Sequence, residues 1–432
     1  MYSRFLYTIW IVGFLFIASF CPPLLPFNTI YIASFFALLW LFGHNRNGTV
    51  IKVPEDLFYL LFVFVLYVIV IMLLNMLFED NSALLTNRII VVYQILILIP
   101  MQFFCAKYVA ESARLKNYGT DTILKLVVLS GLVEVMFVVL AFVSPTLRSV
   151  FLSSIIKRGG IERVYADSTV LTYRSYGWAD TLLDTFGYGM GILAGLCLLC
   201  KKVGKTRYIY MILFLFATAL NSRTGFVIFM IAVLIWFIPT LRKCRIITLI
   251  RAFLVLAALI LIGVIAVRTE LINTSTLSWI TTGFESFWNL LTGKTVAYHT
   301  GSLQNSLFSA RFWHFPDTIL GFLFGNGHSV FGTRSILGIS SDVGYVNYIW
   351  ICGIFGTGLL LFIIFKWFKN GIRSTRDPEL KVVRVFLCVS FFVMFIKGNV
   401  ITHTVGTFLT IMLMTINDSN YSEYDGDNML RE

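Results

Sequence analysis

Apolar runs of about 20 residues recur along almost the whole chain, and a helix of that length crosses about 30 Å of hydrocarbon. No other feature narrows the fold as far. The runs are apolar on all sides, not striped at the helical period of an amphipathic surface helix, which excludes an ordinary soluble domain. They also lack the alternation over roughly ten-residue segments that marks a membrane β-barrel. Composition agrees. Hydrophobic residues make up 58% and charged residues 13%, against roughly 45–50% and 25% in soluble proteins. The sequence therefore predicts an all-α, polytopic integral membrane protein forming one transmembrane domain over residues 1–432.

Twelve spans are expected, at roughly 5–21, 24–43, 56–78, 88–110, 122–144, 181–200, 206–221, 224–241, 247–267, 345–366, 380–396 and 400–416. The first follows a cationic start, Met1 to Arg4, without a small-residue cleavage site, and reads as an uncleaved span. No internal repeat is visible. With the N-terminus in the cytoplasm, every inner loop is basic. These loops carry Arg46 and Lys52; Lys107, Arg114 and Lys116; Lys201, Lys202, Lys205 and Arg207; Arg242 to Arg251; and Lys366 to Arg384. That is the positive-inside pattern, and it accounts for the net charge of +12 without nucleic acid, for which no soluble basic module is present. The polar tail, 417–432, is expected to be cytoplasmic and disordered.

Two long loops, 145–180 and 268–344, then fall on the outer side. The second interleaves Trp279, Phe284, Phe287, Trp288, Phe312, Trp313 and Phe315 with Arg268, Lys294, His299, Arg311, His314, His328, Arg334 and Asp342. Aromatic belts mark membrane–water interfaces, so this loop reads as lying on the outer face and presenting cations there. None of the seven cysteines falls in either loop, so no disulfide framework is implied. Cys197 and Cys200 read as small packing residues on a helix rather than a redox or zinc pair.

Three stretches carry the candidate chemistry. In Asn221-Ser222-Arg223-Thr224-Gly225, a tight outer turn precedes a helix whose free N–H groups and dipole face outward. Arg223 completes a site suited to phosphate, unless it snorkels to lipid headgroups. The first long loop ends in Arg174-Ser175-Tyr176-Gly177-Trp178-Ala179-Asp180. Arg174 and the upstream Arg163 suit phosphate, and the face of Tyr176 suits a sugar ring. The bland reading is charges pairing at the surface.

The third stretch runs from Ala310-Arg311-Phe312-Trp313-His314-Phe315-Pro316 through Gly325-Asn326-Gly327-His328 to Ser341-Asp342-Val343-Gly344-Tyr345. Pro316 is expected to start a short interfacial helix with Ile319, Phe322 and Leu323 toward lipid. Asp342 reads equally as a helix N-cap or as a general base, and His314 and His328 as ligands to substrate or as hydrogen-bonded interfacial residues. No Asp-x-Asp, H-E-x-x-H or P-loop motif occurs, and no cofactor or metal is expected.

The Ser222-Arg223-Thr224-Gly225 turn, Ala310-Arg311-x-Trp313, Phe324-Gly325-Asn326-Gly327 and Asp342-x-Gly344-Tyr345, with Gly353-Ile354-Phe355-Gly356 further on, resemble the Wzy-type O-antigen and capsule polymerases. That superfamily also includes the O-antigen ligases. The resemblance implies a GT-C-like, metal-independent glycosyltransferase of the bacterial inner membrane. Its substrates would be undecaprenyl-diphosphate-linked repeat units, as donor and acceptor. It implies a chain-length regulator and a flippase as partners, besides the bilayer. On this reading Asp342, Arg311 and His328 are catalytic. Arg174, Arg223, Arg163, Tyr176, Trp313, His314, Arg334 and Tyr345 bind substrate. Two alternatives stand beside it. One is the ligase branch, in which a His–Asn pair would occupy the place of Asp342 to Tyr345. The other is a lipid-linked oligosaccharide flippase, which should carry ionisable residues in mid-span; Glu134 is the main one.

Overall fold

The computed structural model describes residues 2–25, 27–45, 55–78, 82–159, 175, 177–180, 184–222, 224–242, 312–330, 341, 343–398, 400–401 and 404–416. They are mostly helical, with no strand among them. In chain order the helices are α1 (Tyr2–Phe20), α2 (Ile30–Asn45), α3 (Glu55–Phe78), α4 (Ser82–Tyr93), a π-turn at Gln94–Leu98, α5 (Ile99–Leu115), α6 (Thr120–Val143) and α7 (Pro145–Gly159). They continue as α8 (Asp184–Leu199), a 3₁₀ turn at Lys201–Val203, α9 (Arg207–Asn221), α10 (Thr224–Arg242), α11 (Ile319–Phe324), α12 (Gly344–Ser374), α13 (Pro378–Lys397) and α14 (Val405–Thr415).

Four helical stretches are long and apolar enough to cross a membrane: Leu57–Leu74, Thr86–Leu115, Thr120–Val143 and Gly344–Ser374. Six further apolar helices among the described residues are shorter, at 10–17 residues. The expected span at 247–267 lies outside the described residues, as does the C-terminal tail. Within the expected span at 400–416, α14 has 11 residues and is one of the shorter apolar helices. It is buried from Val405 to Met414.

The core is built around α8, where Phe186 to Cys200 is buried without interruption. A helix enclosed on every side needs small residues where its neighbours press closest. Gly187 faces Ser222, Gly189 faces Val405, Gly191 faces the Gly225 carbonyl and Gly195 faces Phe386. Gly187, Gly189 and Gly191 thus let α10 and α14 pack against one helix, and Gly195 does the same for α13.

Basic side chains collect at one end of the bundle. Lys202 pairs with Asp377 and lies 3.5 Å from Asp121, and the Lys201 N–H donates to Glu379 Oε2 at 2.9 Å. Arg384 is buried and donates to the Gly371 carbonyl (2.6 Å), to Thr375 and to the Ile416 carbonyl. Those carbonyls close α12 and α14, so the cation sits where two helix dipoles end negative. The ends Val143 of α6, Asp184 of α8, Asn221 of α9, Thr224 of α10, Gly344 of α12, Lys397 of α13 and Val405 of α14 lie toward the opposite end, because each helix runs from or toward this basic cluster.

Asp377 also caps α13, accepting from the Glu379 N–H at 2.8 Å and the Leu380 N–H at 3.4 Å. Burial raises its carboxyl, but the Lys202 ammonium and those two amides outweigh it and hold it below the usual range. Its contribution to stability is therefore complete above pH ~4, the unfolded aspartate value, and is lost as pH falls through the lower folded value. Asp377→Asn keeps the cap and is expected to cost about 1 kcal/mol or less, because the pair is partly exposed. It should also flatten the acid limb of a melting-temperature profile in detergent. An unchanged acid limb would refute the assignment.

Candidate functional site

The end opposite the basic cluster is where the chain neighbours of the expected site residues come together. The first group lies between α6 and α9. Ser175 donates its N–H to the Leu220 carbonyl (3.4 Å) and its hydroxyl to the Val138 carbonyl (2.8 Å). Asp180 N–H reaches the Phe20 carbonyl at 3.0 Å. The described part of residues 175–180 is thus non-helical backbone packed among α1, α6 and α9. Irregular chain is tolerated at such depth only where protein satisfies it. Trp178 packs on Phe137 and Phe151, with ring centroids at 5.3 and 6.3 Å.

Glu134 lies under this segment, fully buried. The Trp178 and Ala179 amides face its carboxyl, yet neither oxygen has a hydrogen bond of normal geometry. A Cβ at position 177 would press on the Glu134 carboxyl, so any residue but glycine would require that side chain to shift. Next to this group, α10 begins at Thr224 as expected. The Ser222 hydroxyl accepts from the Thr224 N–H (3.3 Å) and donates to Thr224 Oγ1 (3.0 Å). Arg163, Arg174, Tyr176 and Arg223 lie outside the described residues. Arg174 and Arg223 are the immediate chain neighbours of Ser175 and Ser222.

The second group surrounds the start of α12. Phe312, Val330, Val343, Val346 and Trp350 form a small core of their own. Ser341 Oγ donates to the Phe312 carbonyl (2.6 Å), and the Ser341 N–H donates to the Val330 carbonyl (2.7 Å). Asn347, buried in α12, accepts from Ser329 Oγ (3.1 Å) and the Val330 N–H (3.0 Å). Three separate stretches are thereby tied to one helix start. The N-cap position of α12 is Val343, without a side-chain cap, and its N–H donates to Ser341 Oγ at 3.2 Å. Arg311, Arg334 and Asp342 lie outside the described residues; Arg311 and Asp342 neighbour the bonded pair Phe312 and Ser341.

Of the expected site residues that are described, Trp313 and His314 are exposed, and the His314 carbonyl accepts from the Trp350 indole at 2.9 Å. His328 is half-buried, its ring 6.4 Å from that of Trp350. Tyr345 points into the bundle, donating its hydroxyl to the Phe392 carbonyl (2.9 Å) with its ring 4.5 Å from Phe395. The expected short helix exists but starts later than Pro316. It is α11, capped by Thr318, whose Oγ1 accepts from the Gly321 N–H at 3.1 Å. Ile319 and Leu320 are its exposed apolar face.

α12 is broken at Gly353 (φ 72°, ψ 175°), and the turn after α11 docks into the break. The Trp350 carbonyl accepts from the Asn326 and Gly327 N–H groups (2.8 and 3.0 Å). The Ile351 carbonyl accepts from Arg88 Nε (3.1 Å), that of Cys352 from the Tyr67 hydroxyl (2.9 Å) and that of Gly353 from Thr357 Oγ1 (2.8 Å). Each of the four consecutive carbonyls has a donor, as backbone in an apolar setting requires. Arg88 and Asn347 were the missed residues. A lone arginine in an apolar run was the available signal for the first.

No family model, curated protein or solved structure matches the chain.

Proposed function

We propose that this protein polymerises a lipid-linked glycan, moving the growing chain from its polyprenyl diphosphate carrier onto the next carrier-linked repeat unit. The observation that carries the reading is the meeting of separate chain segments at the end of the bundle opposite the basic cluster. Ser175, Leu220 and Ser222 form one group, and Phe312, Val330 and Ser341 form the other. Arg174, Arg223, Arg311 and Asp342 each directly adjoin one of these residues in the chain. Breaking a bond to diphosphate develops negative charge on its oxygens, which guanidinium groups fixed near them stabilise. The acceptor hydroxyl needs a base. Asp342, which adjoins Ser341 in the chain, is the candidate for that role. Both substrates carry lipid tails, and the exposed Ile319 and Leu320 beside this end suit a site open sideways to a bilayer.

A second reading, transport of the same lipid-linked glycan, is favoured by Glu134, a fully buried carboxyl without a normal hydrogen bond, since intramembrane carboxyls mark ion and substrate paths. Deletion of the gene separates the readings. Single repeat units on the final acceptor are expected for a polymerase. Units trapped on the inner face would mean a flippase, and carrier-linked polymer with a bare acceptor a ligase.

A further inference from the structure

One side chain from a distant part of the sequence bonds both α12 beside its break and the turn docked there. Arg88, on α4, is fully buried. Its Nε donates to the Ile351 carbonyl at 3.1 Å and its Nη2 to the Gly325 carbonyl at 2.8 Å. Its neighbour Asn87 donates Nδ2 to the Gly327 carbonyl at 2.9 Å. Ile351 lies at the C-terminal end of the first half of α12, and Gly325 follows the C-terminal end of α11. A cation is costly to bury in an apolar bundle; here it faces carbonyls at two helix ends, where the backbone dipoles run negative.

The guanidinium geometry matters. Its N–H groups lie in one plane and fork, so a single side chain reaches both α12 and the docked turn. A lysine ammonium is a point charge that reaches one carbonyl well. Withdrawing the fork leaves the Ile351 and Gly325 carbonyls without these donors and loosens the turn from α12. His328 and Ser329 follow that turn directly, and Ser329 is tied to Asn347 near the start of α12.

We propose that Arg88 is a positioning residue, fixing the Gly325–Gly327 turn on broken α12 and thereby setting where residues 326–330 stand at the candidate site. The link to turnover rests on the polymerase reading; the link to the turn does not. Arg88 touches no substrate on this view and acts through the backbone of the turn.

The test is amide hydrogen exchange on the full-length protein in nanodiscs, for wild type, Arg88→Met, Arg88→Lys and Asn87→Ala. Exchange in peptide 325–330 is expected to rise about tenfold or more in Arg88→Met, since hydrogen bonds from a charged donor are lost. The rise should be smaller in Arg88→Lys and smallest in Asn87→Ala, with exchange in α8 unchanged in all. Unchanged exchange at 325–330 overturns the proposal, and so does an equal rise in α8, which would make Arg88 a general stabiliser. Should Arg88→Met fail to fold, Arg88→Lys and Asn87→Ala give the same two outcomes. Alongside, polymer formation per folded protein from purified lipid-linked repeat units should fall about tenfold in Arg88→Met, with partial recovery in Arg88→Lys. If wild type forms no polymer, the functional reading fails while the exchange result still decides the role of Arg88.

Discussion

Gly353→Ala is expected to lower stability by about 3–5 kcal/mol, the range of substitutions that combine backbone strain with an unrelievable clash. The backbone at 353 has φ 72° and ψ 175°, a region occupied essentially by glycine alone and costing roughly 1–3 kcal/mol for other residues. The space is closed as well. An added Cβ would lie 2.5 Å from the Phe324 carbonyl carbon and closer still to the Leu323 carbonyl. Both are backbone atoms, so no rotamer change relieves the contact. Relief requires α11 and its turn to move off α12, which strips the Trp350 carbonyl of its two N–H donors. Gly358→Ala in the same helix is the control. Nothing lies within 4 Å of a Cβ there, and a helix-interior alanine is favoured over glycine by roughly 0.5–1 kcal/mol. Thermal unfolding of the two purified variants in one detergent measures the difference. Equal melting temperatures would show that the break in α12 does not exist in the folded protein.

Arg223→Ala and Arg311→Ala are each expected to cut polymer formation roughly 100-fold, the usual loss when one donor to a developing anion is removed. Both residues adjoin described anchor residues: Arg223 lies between Ser222 and Thr224, and Arg311 precedes Phe312. Lysine at either position should recover only part of the activity, because a bidentate grip on diphosphate oxygens is not available to an ammonium. Asp342→Asn belongs in the same series. Asparagine caps helices as well as aspartate but has no basicity, so loss of polymer with normal protein level marks a base. Glycan chain length at matched expression reads all three. Long chains from the alanine variants would end the diphosphate reading, and long chains from Asp342→Asn would return Asp342 to a structural role.

Much of the helix inventory was legible. The apolar runs at 122–144 and 206–221 became α6 and α9, and the turn at Ser222 ended one helix and began the next, as its polar residues implied. Glu134 stood out as a carboxyl in an apolar run and is indeed buried in α6. The break in α12 was not legible. Gly353 lies in a run that reads as an unbroken span at 345–366, and glycine inside an apolar helix is tolerated or disruptive according to what presses on it. What presses on it here is the turn 325–327, which no local pattern connects to it. Arg88 showed only as a lone arginine in an apolar run, and its partners at Gly325 and Ile351 are 237 and 263 residues away, so its role was not legible. The shortness of α14 was hidden too. Ile401 and the residues after Thr404 are as apolar as a crossing helix, and only the surrounding helices show that the segment is enclosed within the bundle.

The sequence alone settled that this chain would be helical and, over several stretches, long and apolar enough to cross a membrane. The reason is local: where water is scarce, each segment must bond its own N–H and C=O groups, and a helix does so within about four residues. The tertiary structure alone decided where that rule is broken. Once other parts of the chain bring donors to the Trp350, Ile351 and Cys352 carbonyls, with Thr357 of the same helix serving Gly353, helix continuity is no longer required there. Which donors arrive depends on how distant segments pack, and no local reading of residues 345–366 contains it.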